Sequence, residues 1–116
     1  SLSTKRLVLV YPIPENAWKV AESNFVFSQL HGRLLPELSQ PSIDYIRRNK
    51  FIEEVLDQNN YDNLTRVRPY SVFCNSFKNK RCVAQWNGTP LYYDYDHLSI
   101  QGARLLTKEI LRALYK

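Results

Sequence analysis

Lys5-Arg-Leu-Val-Leu-Val-Tyr-Pro-Ile-Pro14 decides the reading of the fold. Its centre is an unbroken aliphatic run with two β-branched valines, too short for an ordinary helix. Two prolines stop it by removing backbone donors and forcing extended geometry. A run that is apolar at every position suits a strand covered on both faces, as in a parallel sheet. Ligands of such sheets bind outside the carboxyl ends of the strands. The turn that follows, Pro14-Glu-Asn-Ala-Trp18, is therefore a candidate substrate rim, with Glu15 and Trp18 as its chemistry-bearing members.

Beyond that strand, apolar residues from Val20 to Leu38 recur without a clean period, and Gly32 and Pro36 interrupt them, so a mobile or partly helical excursion is expected. Ser39 to Asn60 predicts a helix, with Ser39 as cap and Pro41 in the first turn. Tyr45, Ile52, Val55 and Leu56 would share its buried face, leaving Arg47, Arg48, Asn49, Glu53 and Glu54 largely for solvent. The polar tract from Asp57 to Asn63 ends it. Thr65 to Phe73 is expected to hold a short strand, curtailed by Pro69. Val83 to Trp86 and Thr89 to Tyr93 flank Asn87-Gly88, the preferred pair for a tight hairpin turn. Ser99 to Tyr115 predicts a final helix capped by Ser99, with a buried stripe of Ala103, Leu106, Ile110 and Leu114 opposite Arg104, Lys108 and Arg112. Strand, helix, strand, hairpin, helix argues for an α/β layered sheet.

At 116 residues, 44% hydrophobic and 23% charged, the chain has the composition of one folded domain at most. Its longest apolar stretch, Leu7 to Tyr11, is far short of the roughly twenty residues a bilayer crossing needs. The first six residues lead into too short an apolar run to be a signal peptide. The absence of methionine, even at the start, points to a processed or excised chain. Net charge is +5, but the basic residues are scattered. The two clusters, Arg47-Arg48-Asn49-Lys50 and Lys78-Asn79-Lys80-Arg81, read as a solvated helix face and a loop tip. No aromatic-basic stacking pattern or zinc-finger spacing supports nucleic-acid binding.

Cys74 and Cys82 enclose a short polar segment, as a local disulfide would. Such a ring restricts the unfolded chain by about 2.6 kcal/mol on chain entropy and favours an oxidising compartment. Two unpaired thiols in a cytosolic protein are the alternative. Zinc has no second pair of ligands at the usual spacing.

The chemistry concentrates in Leu91-Tyr-Tyr-Asp-Tyr-Asp-His-Leu-Ser-Ile-Gln-Gly-Ala103. A serine or water nucleophile needs an imidazole to take its proton, and the imidazole needs a carboxylate on its other nitrogen. Asp94 and His97 supply both, and Asp96 competes for the carboxylate role. The duller account is that carboxylates before a helix face its N-terminal dipole and His97 is a polar turn residue. No Gly-x-Ser-x-Gly or Gly-Asp-Ser block supplies a nucleophile. His31, without a carboxylate nearby in sequence, reads as a surface histidine, and no ligand spacing supports a metal. Trp18, Trp86, Tyr92, Tyr93 and Tyr95 would either pack in the core or stack on sugar faces.

The order Leu-Val-Leu-Val-Tyr-Pro-Ile-Pro-Glu (7 to 15), Pro41-Ser-Ile-Asp-Tyr-Ile-Arg-Arg48, two spaced cysteines, then Pro-Leu-Tyr-Tyr-Asp-Tyr-Asp-His-Leu-Ser-x-x-Gly-Ala (90 to 103) resembles the SGNH-type domain fused to acyltransferase-3 membrane proteins. The resemblance implies a three-layer, flavodoxin-like α/β domain with parallel strands, on the periplasmic side of the bacterial inner membrane. Its implied partner is a membrane-embedded acyltransferase domain of the same protein, and its work O-acyl (acetyl) transfer to, or ester hydrolysis on, cell-surface glycans. Neither metal nor organic cofactor is implied. By family position Asp94 is the orienting carboxylate and His97 the general base of a Ser-His-Asp triad. The serine and oxyanion blocks of the family precede the region matched. Residues 1–116 are thus expected to be the carboxyl-terminal part of one domain, inactive alone, and given to self-association or pairing with the missing segment. A non-catalytic glycan-binding or docking module is the alternative.

Overall fold

The computed structural model describes residues 5–115; the outermost residues of the expected 1–116 domain lie outside them. The opening run forms β1 (Leu7–Val10), followed by α1 (Val20–His31), β2 (Glu37–Pro41), α2 (Ser42–Asp57), β3 (Leu64–Val67) and α3 (Pro69–Phe73). The chain continues through β4 (Arg81–Trp86), β5 (Thr89–Pro90) and α4 (Ile100–Leu114). β1 pairs with β3 in parallel, from Leu7 opposite Leu64 to Val10 opposite Val67, as an α/β fold requires. A second, antiparallel sheet has the order β2-β4-β5, and Asn87-Gly88, both at positive φ, turn its hairpin.

The expectation that β1 is covered on both faces is not met. Leu7 is 47% exposed and Val10 39%. One face meets α4, where Val8 packs beside Val67, Leu106, Ala113 and Ile110. Among the described residues β3 alone serves β1 in the pairing direction: the amides of Leu7 and Tyr11 bond to Asn63 and Val67. The intervening Val8 and Val10 direct their backbone groups to an edge with no strand beside it among the described residues.

Ser39 to Pro41 proves to be strand. Ser39 lies opposite Val83, its hydroxyl donating to Glu37 Oε2 (2.9 Å) and accepting from Arg81 Nε (3.0 Å), so the helix starts three residues later at Ser42. Proline suits the last strand position because the ladder ends there and extended backbone hands over to the helix. The buried face of α2 is also rotated from expectation. Ser42, Tyr45, Asn49, Glu53 and Leu56 turn inward, whereas Ile52 and Val55 are exposed. Glu53 is drawn in because Tyr45 donates to it at 2.6 Å.

The Val20 to Leu38 excursion contains a regular helix, α1, ended by Gly32 in the left-handed region with its amide bonded to Ser28. Its pattern is disguised because Phe25 and Leu30 point outward, while Val20 and a polar residue, Asn24, are buried. Asn24 and Gln85 exchange amide hydrogen bonds in the core, and Gln85 and Leu35 complete the set through Gln85 Nε2 to Leu35 O and Leu35 N to Asn24 Oδ1.

Pro69 does more than shorten β3: it becomes the first residue of α3, where a missing N–H is harmless. Cys74 and Cys82 are joined, tying the end of α3 to β4 with 3.9 Å between their α-carbons. Asn75 and Lys80 take positive φ to turn the enclosed loop, and Asn75 Oδ1 accepts from the Lys80 amide at 2.7 Å.

Candidate catalytic base

Residues 91 to 99 form a narrow loop closed at its stem. Tyr92 and Leu98 face each other in an antiparallel bridge, the Ser99 amide bonds Leu91 O (3.0 Å), and the Tyr93 amide bonds His97 O (2.7 Å). Asp94 starts the tip, where its Oδ1 accepts from the amides of Asp96 (3.1 Å) and His97 (2.8 Å). An aspartate readily captures N–H groups two and three residues on. That turn explains the spacing of three: the same compaction lays the imidazole of His97 on the carboxylate, with Nδ1 2.9 Å from Asp94 Oδ1 and 3.0 Å from Oδ2.

The stem is built for a close approach. Ser99 caps α4 by accepting from the Gly102 amide (3.1 Å), and its hydroxyl donates back to Pro90 O (2.7 Å). Gly102 lies so near the stem that a β-carbon there would sit 2.0 Å from the Leu91 carbonyl oxygen. The helix N-terminus is thus capped by Ser99, and the aspartates serve the loop and the ring instead. The buried stripe of α4 runs through Gly102, Leu106 and Ala113; Ala103 and Leu114, expected inside, are exposed because the contact with Leu91 rotates the helix onto its glycine face.

Asn16 holds the loop from behind. Its side chain donates to Asp94 O (3.0 Å) and Tyr95 O (3.1 Å), its amide bonds Tyr95 O (2.8 Å), and its Oδ1 accepts from the Trp18 amide (2.8 Å). Tyr92, buried, donates to Pro14 O at 2.5 Å. The turn after β1 therefore backs the loop that carries His97, but Glu15 and Trp18 do not line the open hollow at His97, which is formed by Tyr93, Asp94, His97, Leu98, Ser99, Ile100 and Gln101. Glu15 pairs with Arg48 (2.8 Å), and Trp18 donates to Ser39 O (3.2 Å). Asn16 could not be picked out beforehand, since nothing in Pro-Glu-Asn distinguishes it from an ordinary turn residue. Gly102 did carry a signal, its place three residues after a capping serine.

The ring itself is largely in water, its side chain 74% exposed, and no described residue bonds Nε2. Asp94, then the nearby Asp96, hold the His97 pKa above the ordinary histidine value. For Asp94, partial desolvation pushes upward, but the two loop amides and the imidazole outweigh it and leave the carboxyl below its usual range. Asp94, Asp96 and His97 bring one donor atom each within 4.8 Å of one another, with Nδ1 2.9 Å from Asp94 Oδ1 and 3.0 Å from Asp96 Oδ1. His31 lies elsewhere, its ring against Phe27. Of the aromatic residues considered for sugar stacking, Tyr93 and Tyr95 are exposed on this loop, whereas Trp86 packs against Phe77.

The family model of the SGNH domain (fused to AT3 domains) matches residues 1–112. No curated protein and no solved structure matches the chain.

Proposed function

The chain belongs to the SGNH domains fused to AT3 domains, and from that membership we propose that it is the carboxyl-terminal part of a periplasmic domain transferring O-acyl groups to cell-surface glycans. His97 is the general base, Asp94 orients it, and the serine nucleophile lies upstream of the segment in hand. The observation that carries this reading is the polarity of the imidazole: Nδ1 is held by Asp94, while Nε2 faces outward with no described partner. A ring held in this way presents its basic nitrogen to a group arriving from outside the chain.

In this mechanism Nε2 takes the serine proton as Oγ bonds to the acyl carbonyl carbon and the carbonyl electrons move to oxygen. The imidazolium, stabilised by Asp94, returns that proton to the departing group as the carbonyl re-forms and the ester bond breaks. A sugar hydroxyl then attacks the acyl-serine, giving its proton to Nε2, and the serine leaves with that proton. Water in place of the sugar gives hydrolysis. The AT3 portion is the source of the acyl group.

Support for a domain completed by other residues comes from β1, whose open edge and exposed Leu7 and Val10 are those of a strand prepared for a neighbour. Pairing with the upstream segment, or self-association in its absence, follows; a clean monomer at high concentration in sedimentation argues against it. In the full-length protein His97→Ala is expected to lower acyl transfer by about 10²–10⁴-fold, with no turnover of an activated ester by residues 1–116 alone. Ester turnover by this segment that vanishes in His97→Ala overturns the placement of the nucleophile outside it. Glycan affinity in a full-length protein whose acyl transfer ignores His97→Ala favours the non-catalytic module instead.

A further inference from the structure

Nδ1 of His97 has room for one proton, yet two carboxylates converge on it. Besides the two oxygens of Asp94, Asp96 Oδ1 lies 3.0 Å away. The two acids are not equivalent. Asp94 Oδ1 is engaged by the amides of Asp96 and His97, so the turn holds it in place whether or not the ring is present. Asp96 is exposed, and its only cationic partner among the described residues is His97. An exposed acid that the turn does not hold, beside one that it does, is placed to follow the ring and share its proton.

We propose that Asp96 is a second positioning carboxylate for His97, sharing the Nδ1 proton with Asp94 and keeping Nε2 turned outward when Asp94 is lost. This deepens the reading of His97 as the base and rests on it for its catalytic meaning, though not for its geometry. Asp96 touches neither substrate nor nucleophile in this role; it acts through the ring. When the ring becomes imidazolium, two negative charges face it, and an oxygen of either acid can accept the Nδ1 proton. The other titratable side chains around the ring do not compete. Tyr93 and Tyr95 are the neighbours in the loop. In the segment packed behind, Glu15 pairs with Arg48 and Lys19 with Glu22. Arg104, just past the first turn of α4, is exposed.

The test is an NMR titration of the ¹⁵N-labelled chain, following the ring nitrogens of His97 with His31, the only other histidine, as internal reference. Asp94→Asn keeps an oxygen for the turn amides, so it removes the charge and leaves the loop. Asp96→Asn is expected to lower the His97 pKa while His31 stays put. Asp94→Asn is expected to keep the neutral ring mainly in the Nδ1–H form, and the double variant to lose both the raised pKa and that tautomer preference. An Asp96→Asn titration superimposable on the parent overturns the proposal, as does Asp94→Asn already behaving like the double variant. In the full-length protein Asp94→Asn should retain at least tenfold more acyl transfer than Asp94→Asn/Asp96→Asn. If transfer proves independent of His97 while the titrations follow expectation, the functional reading falls and the shared proton stands.

Discussion

Substituting Gly102 with alanine tests whether the His97 loop depends on the close approach of α4 to its stem. The added methyl would lie 2.0 Å from Leu91 O and 2.9 Å from the Leu91 carbonyl carbon. Both are backbone atoms that cannot rotate away, so helix and stem must part by roughly 1.5 Å to reach ordinary contact. That movement stretches the Ser99 amide bond to Leu91 O and the Ser99 hydroxyl bond to Pro90 O, now 3.0 and 2.7 Å. Two hydrogen bonds at about 1 kcal/mol each and an overpacking cost of about 1–3 kcal/mol oppose the ~1 kcal/mol that alanine gains over glycine in a helix. The net loss is about 2–4 kcal/mol, or on the order of 10 °C in Tm for a chain of this size. Urea unfolding followed by circular dichroism measures it, with Gln101→Ala, exposed in the same turn, as a control expected to stay within about 0.5 kcal/mol. Because the stem carries His97, the raised pKa of its ring should relax toward the ordinary value in Gly102→Ala. A Gly102→Ala protein as stable as the parent refutes the reasoning, since it would mean that α4 retreats from Leu91 at no cost.

Asn16→Ala removes the donors to Asp94 O and Tyr95 O from a buried position and should cost about 1–3 kcal/mol. Faster hydrogen exchange at the Tyr93 and Ala21 amides is the accompanying sign, and unchanged protection there speaks against a clamp. Reduction of Cys74–Cys82 is expected to lower stability by up to about 2.6 kcal/mol; identical urea midpoints with and without reductant would contradict it. The Asp94–His97 pair also sets a pH window. The raised His97 pKa stabilises the fold fully below about 6.5, and that contribution is lost as pH rises through the folded value. The lowered Asp94 pKa stabilises above about 3.9 and is lost as pH falls through its folded value. His97→Gln should therefore flatten the decline in stability above pH 6.5, and parallel pH profiles for the two proteins would exclude the linkage.

What was legible in the sequence was local. Asn87-Gly88 dictates its turn whatever surrounds it, Ser99 caps whatever helix follows, and an aspartate three residues before a histidine meets it through its own turn. Where the outcome depended on distant partners, pattern misled. Ser39 and Pro41 have the chemistry of a helix start, but β4 recruits them as a strand. α1 hides its period because its inward side includes Asn24, satisfied by Gln85 from 61 residues away. The continuous apolar run of β1 suggests full burial, yet among the described residues neither its edge nor all of its side chains are covered. In the site, Asp94 and His97 could be paired by spacing, whereas Asn16 reaches the loop across 78 residues and no local rule announces it.

The Asn24–Gln85 pair has a consequence for how the chain avoids wrong structures. A slip of β4 by one residue would exchange Gln85 for Ala84 or Trp86 at that point and reverse which side of the strand the amide occupies. Asn24 and the Leu35 backbone would then be left buried without partners, at about 1–3 kcal/mol for each group stranded. Aliphatic contacts tolerate such slips far better, because one methyl group replaces another. The polar pair thus acts as a proofreading device during folding: it adds little to the final stability but makes the neighbouring registers expensive.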